Sequence, residues 1–196
     1  MKTLYEPYPE EVSVKERRYP IATDFREWIK FQDMIRDPDV TQHELAYGMA
    51  QYYEDEIPPD SDDAICALVA FYLQKDMEET RSILFPALRN DIKKQPEEKK
   101  KALYDYAFDA DCIMAGFYYA YHIDLDTVRY LHWHKFRALL NHLPEDTEFR
   151  QRIHYRGIDA GKIKDKKERE RVRKIQRQIR LPAPAPTVNE IGGLFW

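Results

Sequence analysis

Leu131-His132-Trp133-His134-Lys135-Phe136-Arg137-Ala138-Leu139-Leu140, followed by Leu143-Pro144-Glu145-Asp146-Thr147, is the stretch on which the reading of this chain turns. Trp133, Phe136, Leu140 and Leu143 recur every three or four residues, the spacing that gathers side chains on one face of an α-helix, and Pro144 closes the run. Trp133 and Phe136 are the bulkiest of the four and are expected to organise the fold. Upstream, His122 to Asp126 reads as a turn, with Asp126 or Thr127 capping the helix. Before it, Leu103 to Tyr121 is strongly apolar and aromatic. That stretch is predicted to be a central buried helix carrying Phe108, Ile113, Met114, Phe117, Tyr118 and Tyr121, with Gly116 letting another helix approach. Downstream, Glu145-Asp146-Thr147 opens a shorter helix with Phe149 and Ile153, and Gly157 to Gly161 turns the chain into a basic helix.

The same period recurs in the N-terminal half. Thr23, with Arg26 and Glu27, reads as the cap of a helix bearing Phe25, Trp28 and Ile29 and ending near Arg36, where Pro38 breaks the pattern. Thr41 can cap a second helix with Leu45, Met49, Tyr52 and Tyr53 on its apolar face. Ser61, with Asp62 and Asp63, caps a third, whose Ile65, Leu68, Val69, Tyr72 and Leu73 form the cleanest amphipathic pattern in the chain. Residues 81–101 are ambiguous, ending in a charged connector. Alternating runs of β-branched residues are almost absent, so the predicted fold is all-α, an irregular multi-helix domain. The organisation expected is an N-terminal arm over 1–22, a helical domain with one main core over 23–161, a basic helix over 162–181, and a flexible Pro-rich tail over 182–196 ending in an apolar tip.

Charge is distributed unevenly. Residues 162–180 hold ten basic and three acidic side chains, a net +7, which leaves −11 for the rest of a chain whose total is −4. An acidic body and a basic extension can attract one another between copies, so self-association as a homo-oligomer is expected. The basic helix has only Val172, Ile175 and Ile179 as apolar residues, a stripe narrow enough to suit docking on a partner. Its expected contact residues are Lys166, Arg169, Val172, Arg173, Ile175 and Ile179, joined by Phe195 and Trp196 of the tip. Aromatic side chains that could stack on bases are missing between 162 and 180, and the sequence pI is about 5.9, which weighs against nucleic acid as the main partner. The charged fraction of 34% and mean hydropathy of −0.72 imply a chain largely facing water, and no apolar run is long enough for a membrane span. A cytoplasmic protein without a membrane partner is expected. Cys66 and Cys112 lack CxxC spacing and read as small core residues.

Candidate chemistry fails on spacing. His132 and His134, two apart on a helix, point to different faces and cannot chelate one ion. His43-Glu44 lacks the second histidine of a zinc-protease helix, since Tyr47 stands there. Asp105 and Asp109 share a helix face, but no local Lys, Arg or His completes a site, so they read as a solvated or partner-binding acidic face. With no glycine-rich phosphate loop and no nucleophile arrangement, the expectation is a non-enzyme with no cofactor, no metal and no catalytic residue.

Tyr121-x-Ile123-Asp124-Leu125, His132-Trp133-x-x-Phe136-x-x-Leu139-Leu140, Leu143-Pro144-Glu145-Asp146-Thr147-x-Phe149, Arg156 and the Lys/Arg-rich helix occur in an order that resembles the phage protein family named after gene product fifteen of Gram-positive siphophages. Thr23-Asp24-Phe25-Arg26-x-Trp28-Ile29-x-Phe31 is similar to that family's start, and the resemblance covers roughly residues 20–181. Where that family usually carries a second aromatic after His-Trp, this chain has His134. The resemblance implies a tail assembly chaperone or tail accessory role, because such proteins are typically encoded between the major tail protein and the tape measure. It further implies that the partner is the tape-measure protein, coated before tail-tube polymerisation, and that the chain is absent from the finished virion. The other reading of the same basic helix is a small phage or host regulatory protein that binds nucleic acid through 162–180.

Overall fold

A computed structural model of the chain describes residues 4–37, 39–88 and 102–182. They form a mostly α-helical fold with one two-stranded antiparallel sheet. Where the sequence suggested one main core, the described residues gather into two compact units, one from the N-terminal part up to 88 together with 130–136, the other from 102–129 and 137–182.

In the first unit, β1 (Glu11–Val14) and β2 (Arg17–Pro20) pair in register, Val12 opposite Tyr19. Their alternation is short but clean: Val12, Val14 and Tyr19 are buried while Glu11, Ser13, Arg17 and Arg18 face solvent. Residues 11–20 fall within the stretch read as an arm. Four-residue strands give little periodic signal, and the turn lacks the Asn-Gly or Asp-Gly signature because Lys15 itself takes the left-handed conformation, φ 56°. The Lys15 side chain then reaches Asp60 at 3.3 Å and Asp63 at 3.5 Å.

The helices of this unit are α1 (Phe25–Arg36), α2 (Gln42–Ala50), α3 (Ser61–Leu73) and α4 (Met77–Leu88), the last lying partly in the stretch that the sequence left ambiguous. Thr41 caps α2 in a full capping box with Glu44. The caps of α1 and α3 fall one residue away from those expected, at Asp24 and Asp60, whose carboxylates accept the N–H groups of Arg26 and Asp63. Thr23 is displaced from capping by other partners: its carbonyl accepts the N–H of Trp133 at 2.7 Å, and its hydroxyl shares a hydrogen bond with Tyr130. Asp24 and Phe25 bond to Leu131 as well, forming an isolated bridge beside His132. Because the backbone of 131–133 is engaged with 23–25, the next helix, α6 (Trp133–Asn141), begins at Trp133 and not near Asp126. The core is a stack of rings. Trp28 and Phe31 on α1 lie against Tyr52, and Tyr72 of α3 lies flat on Trp133 with centroids 5.2 Å apart.

The second unit contains α5 (Ala110–Tyr121), the end of α6, α7 (Glu148–Gly157), a short 3-10 turn at Ala160–Lys162, and α8 (Lys166–Gln178). The expected central buried helix is shorter and only half buried: Ile113 and Phe117 face inward, whereas Phe108, Tyr118 and Tyr119 are exposed. Its start is delayed because Asp105 folds 105–109 into a turn, its carboxylate accepting the N–H groups of Ala107 and Phe108. Gly116 does mark a close approach, though to a side chain in the loop after α6. A Cβ there would lie 3.1 Å from Leu143 Cδ1. α5 packs on α7, and α7 on α8. Cys66 and Cys112 are buried and free. Among the described residues, no helix is long and apolar enough to cross a membrane.

Candidate partner-binding interface

α8 forms because Asp165 caps it, accepting the Glu168 N–H at 2.7 Å, and because Asp165 and Glu168 at its start and Arg177 in its last turn suit the helix dipole, which Lys166 and Lys167 in the first turn oppose. Its inner edge is secured to the second unit by few groups. Val172 is 2% exposed, and Ile175 and Ile179 are half-buried. Gln176 donates to the carbonyls of Tyr155 and Ile158, both at 2.8 Å, and Arg156 Nε donates to the Ile179 carbonyl at 2.7 Å. The thin apolar stripe is therefore spent within the chain. Val172 is closed to any partner in this arrangement, while Lys166 and Arg173 are exposed and Arg169 is partly so. Phe195 and Trp196, with the whole Pro-rich tail from residue 183, lie outside the described residues.

The exposed residues of α8 are predominantly cationic, with Glu168 and Glu170 among them. Lys166, Lys167, Arg173, Lys174 and Arg177 are exposed, and among the described residues none of them has an acidic side chain within ion-pair distance. Within the helix, Arg171 alone reaches an acid, Glu168, at 3.7 Å. Arg169, Arg173 and Arg177 follow one another at four-residue spacing, where like charges destabilise a helix by a few tenths of a kcal/mol per pair, about as much as opposite charges stabilise it.

Beneath α8 lies the feature that local spacing could not reveal. Asp109, expected on a solvated acidic face without cations, is fully buried and takes two arginines from α7. Arg156 binds it in a fork, Nη1 to Oδ2 at 2.6 Å and Nη2 to Oδ1 at 2.9 Å, and Arg152 Nη1 reaches Oδ1 at 3.0 Å. Arg156 also donates to the Leu103 carbonyl at 2.9 Å, so one guanidinium joins the start of α5, α7 and the end of α8. Burial by itself would push the Asp109 carboxyl up. The hydrogen bonds from Arg156, the Asp105 backbone and Arg152 outweigh that and hold it below the ordinary carboxylate range. A carboxylate so bonded is a clamp with no proton to give. The only trace of it in the sequence is that Arg152 and Arg156 stand four apart on one helix face.

In the first unit, Trp133 and Phe136 are 0% and 1% exposed. The Trp133 indole N–H donates to the Tyr72 carbonyl at 3.2 Å, and Phe136 stacks on Phe25 at 4.7 Å. His132 is buried. Its Nδ1 accepts the His134 N–H, and its Nε2 sits 2.9 Å from the Pro9 carbonyl, while the His134 ring meets the Phe71 carbonyl at 2.8 Å. Both histidines thus tie backbone segments together. Among the described residues, no group of three or more His, Cys, Asp or Glu is placed to hold a metal ion.

Comparison with known families matched residues 4–181 to the model described as Bacteriophage Gp15 protein. Comparison with curated proteins and with solved structures gave no significant match.

Proposed function

This chain belongs to the Bacteriophage Gp15 protein family, and on that footing we propose that it acts in phage tail morphogenesis, as an assembly chaperone that binds the tape-measure protein before tail-tube polymerisation. The family match carries the reading, since the family resemblance implies a product made between the major tail protein and the tape measure. The chain works by binding and not by catalysis, in the cytoplasm of the host, and leaves before the virion is complete. A thinly docked helix with exposed cations and a C-terminal Leu194-Phe195-Trp196 tip suits many weak contacts along a long partner, where avidity supplies the affinity and release stays possible.

Co-expression with the tape-measure protein encoded in the same phage genome, followed by affinity capture after nuclease treatment, tests this. The expected result is co-purification with the full chain and its loss from a version ending at Pro182. The unpaired cations of α8 favour one other reading, a regulator that binds nucleic acid through 162–180. Capture of nucleic acid that salt strips away, with no tape measure, would replace the chaperone by that regulator.

A further inference from the structure

We propose that the outer face of α8 docks on the acidic edge at residues 54–62 of a second copy, so that copies join head to tail. Two surfaces point to this. On α8, Lys166, Arg173 and Arg177 are exposed cations without an acidic partner among the described residues, and the four-residue spacing of Arg169, Arg173 and Arg177 makes them repel one another. A polyanionic surface would relieve that repulsion. Between α2 and α3 the chain supplies one: residues 54–63 hold six acids and no Lys or Arg. Some of these are already neutralised, Glu56 by Arg17, Asp60 by Lys15, and Asp63 by Lys15 and Arg81. Glu54, Asp55 and Asp62 are exposed and have no cation within ion-pair distance among the described residues, and between them Ile57 is half exposed. The chain thus carries an unmatched basic helix in one unit and an unmatched acidic edge in the other.

A contact between two different patches is heterologous: each copy uses both, and the association runs on as a ring or an open array. The pairing is electrostatic, so it weakens as salt shortens the screening length from about 10 Å at 0.1 M to about 3 Å at 1 M. The inference does not depend on the tape measure.

Sedimentation velocity of the full, nuclease-treated chain tests it. In about 0.1 M salt the mean mass should rise with concentration above the 23.5 kDa of one chain, and in about 1 M salt it should return to that value. Arg173→Glu with Arg177→Glu should stay at one chain in low salt, and so should Asp55→Lys with Asp62→Lys. All four positions are on the surface, and circular dichroism establishes that each variant is folded. Mixing the two variants is the decisive arm, because each helix then finds a complementary edge only on the other variant, the altered helix on the altered edge and the unaltered basic helix on the unaltered acidic edge, so the mixture should regain the association that neither variant shows alone. A wild type that stays at one chain in low salt overturns the proposal. So do association that salt leaves intact, association that nuclease abolishes, and reversal variants that associate as the wild type does. Failure here leaves tape-measure capture untouched, and failure of that capture leaves this association untouched.

Discussion

The two units of this chain solve the same problem with opposite chemistry. Around Trp133 the first unit joins distant segments with rings, Tyr72 flat on the indole and Phe25 on Phe136. The polar groups that enter make hydrogen bonds to uncharged acceptors, the indole N–H to the Tyr72 carbonyl, the Tyr72 hydroxyl to the Gln32 side-chain oxygen, and the rings of His132 and His134 to the Pro9 and Phe71 carbonyls. The second unit joins α5, α7 and α8 through a buried carboxylate and an arginine fork. Rings gain by leaving water, and the gain scales with area. A buried ion pair gains little net of its desolvation, yet it makes each partner indispensable to the other. The first unit should therefore fail in proportion to the volume removed, and the second according to whether a charge is left alone.

The largest single effect is expected at Trp133. Trp133→Ala empties a fully enclosed site and should cost about 3–5 kcal/mol, read by urea unfolding followed by circular dichroism. A loss below about 1 kcal/mol would mean that the ring stack is not what holds the first unit.

Arg156→Met should cost about 3 kcal/mol, because it removes the fork and leaves buried Asp109 with only Arg152 and the Asp105 N–H. Hydrogen exchange at α5 and α7 amides localises that loss to the second unit. The contrast between the units sharpens when both charges go. Arg156→Met combined with Asp109→Leu should recover most of the stability, whereas no second truncation rescues Trp133→Ala. Acid gives an independent view. Asp109 titrates below its unfolded value, so its contribution is complete above about pH 4, the ordinary aspartate range, and is lost as pH falls through the depressed folded value. The stability gap between wild type and the Arg156→Met single variant should narrow on acidification below that range, and a gap that stays constant to low pH would remove the ionised carboxylate from the account.

These two centres were unequally legible. Helical periodicity is local, so Trp28, Leu68, Phe117 and Trp133 announced helices and a core, and the family resemblance rested on the same residues. The Thr41 capping box could be read within four positions. Contacts between residues far apart in sequence left almost no trace. Asp109 finds its arginines 43 and 47 residues later, and the helix expected near Asp126 starts late because its preceding backbone bonds to residues more than a hundred positions earlier. The hairpin was missed for a different reason, since Lys15 occupies a left-handed turn position that usually advertises itself with glycine or asparagine. On α8 the sequence located the charge correctly, but it could not tell which edge is spent inside the molecule.

A smaller effect tests how thinly that edge is held. Val172→Ala removes two buried carbons and should cost about 1–2 kcal/mol. The loss should appear mainly as faster hydrogen exchange along α8, while α5 and α7 change little. If all three helices loosen together, α8 is an integral wall of the second unit and not an appendage pinned by Val172, Gln176 and the Ile179 carbonyl.

The smallest effect compares one helical glycine from each unit. Alanine in a helix interior is favoured over glycine by about 0.5–1 kcal/mol, so either position would gain if the new methyl found room. At Gly116 it would sit 3.1 Å from Leu143 Cδ1 and 3.5 Å from Cδ2, and Leu143 is itself buried. Leucine must then leave its preferred rotamer, at about 0.5–1.5 kcal/mol, which cancels the helical gain. At Gly48 the methyl would meet the Met34 sulfur, but methionine is unbranched and adaptable, and Met34 is only partly buried, so it can swing aside. Gly48→Ala should raise the thermal midpoint slightly and Gly116→Ala should leave it unchanged or lower it. The opposite order would mean that the ring-packed first unit is the less yielding of the two, and that its tolerance has been judged from the softness of one side chain instead of from the packing around it.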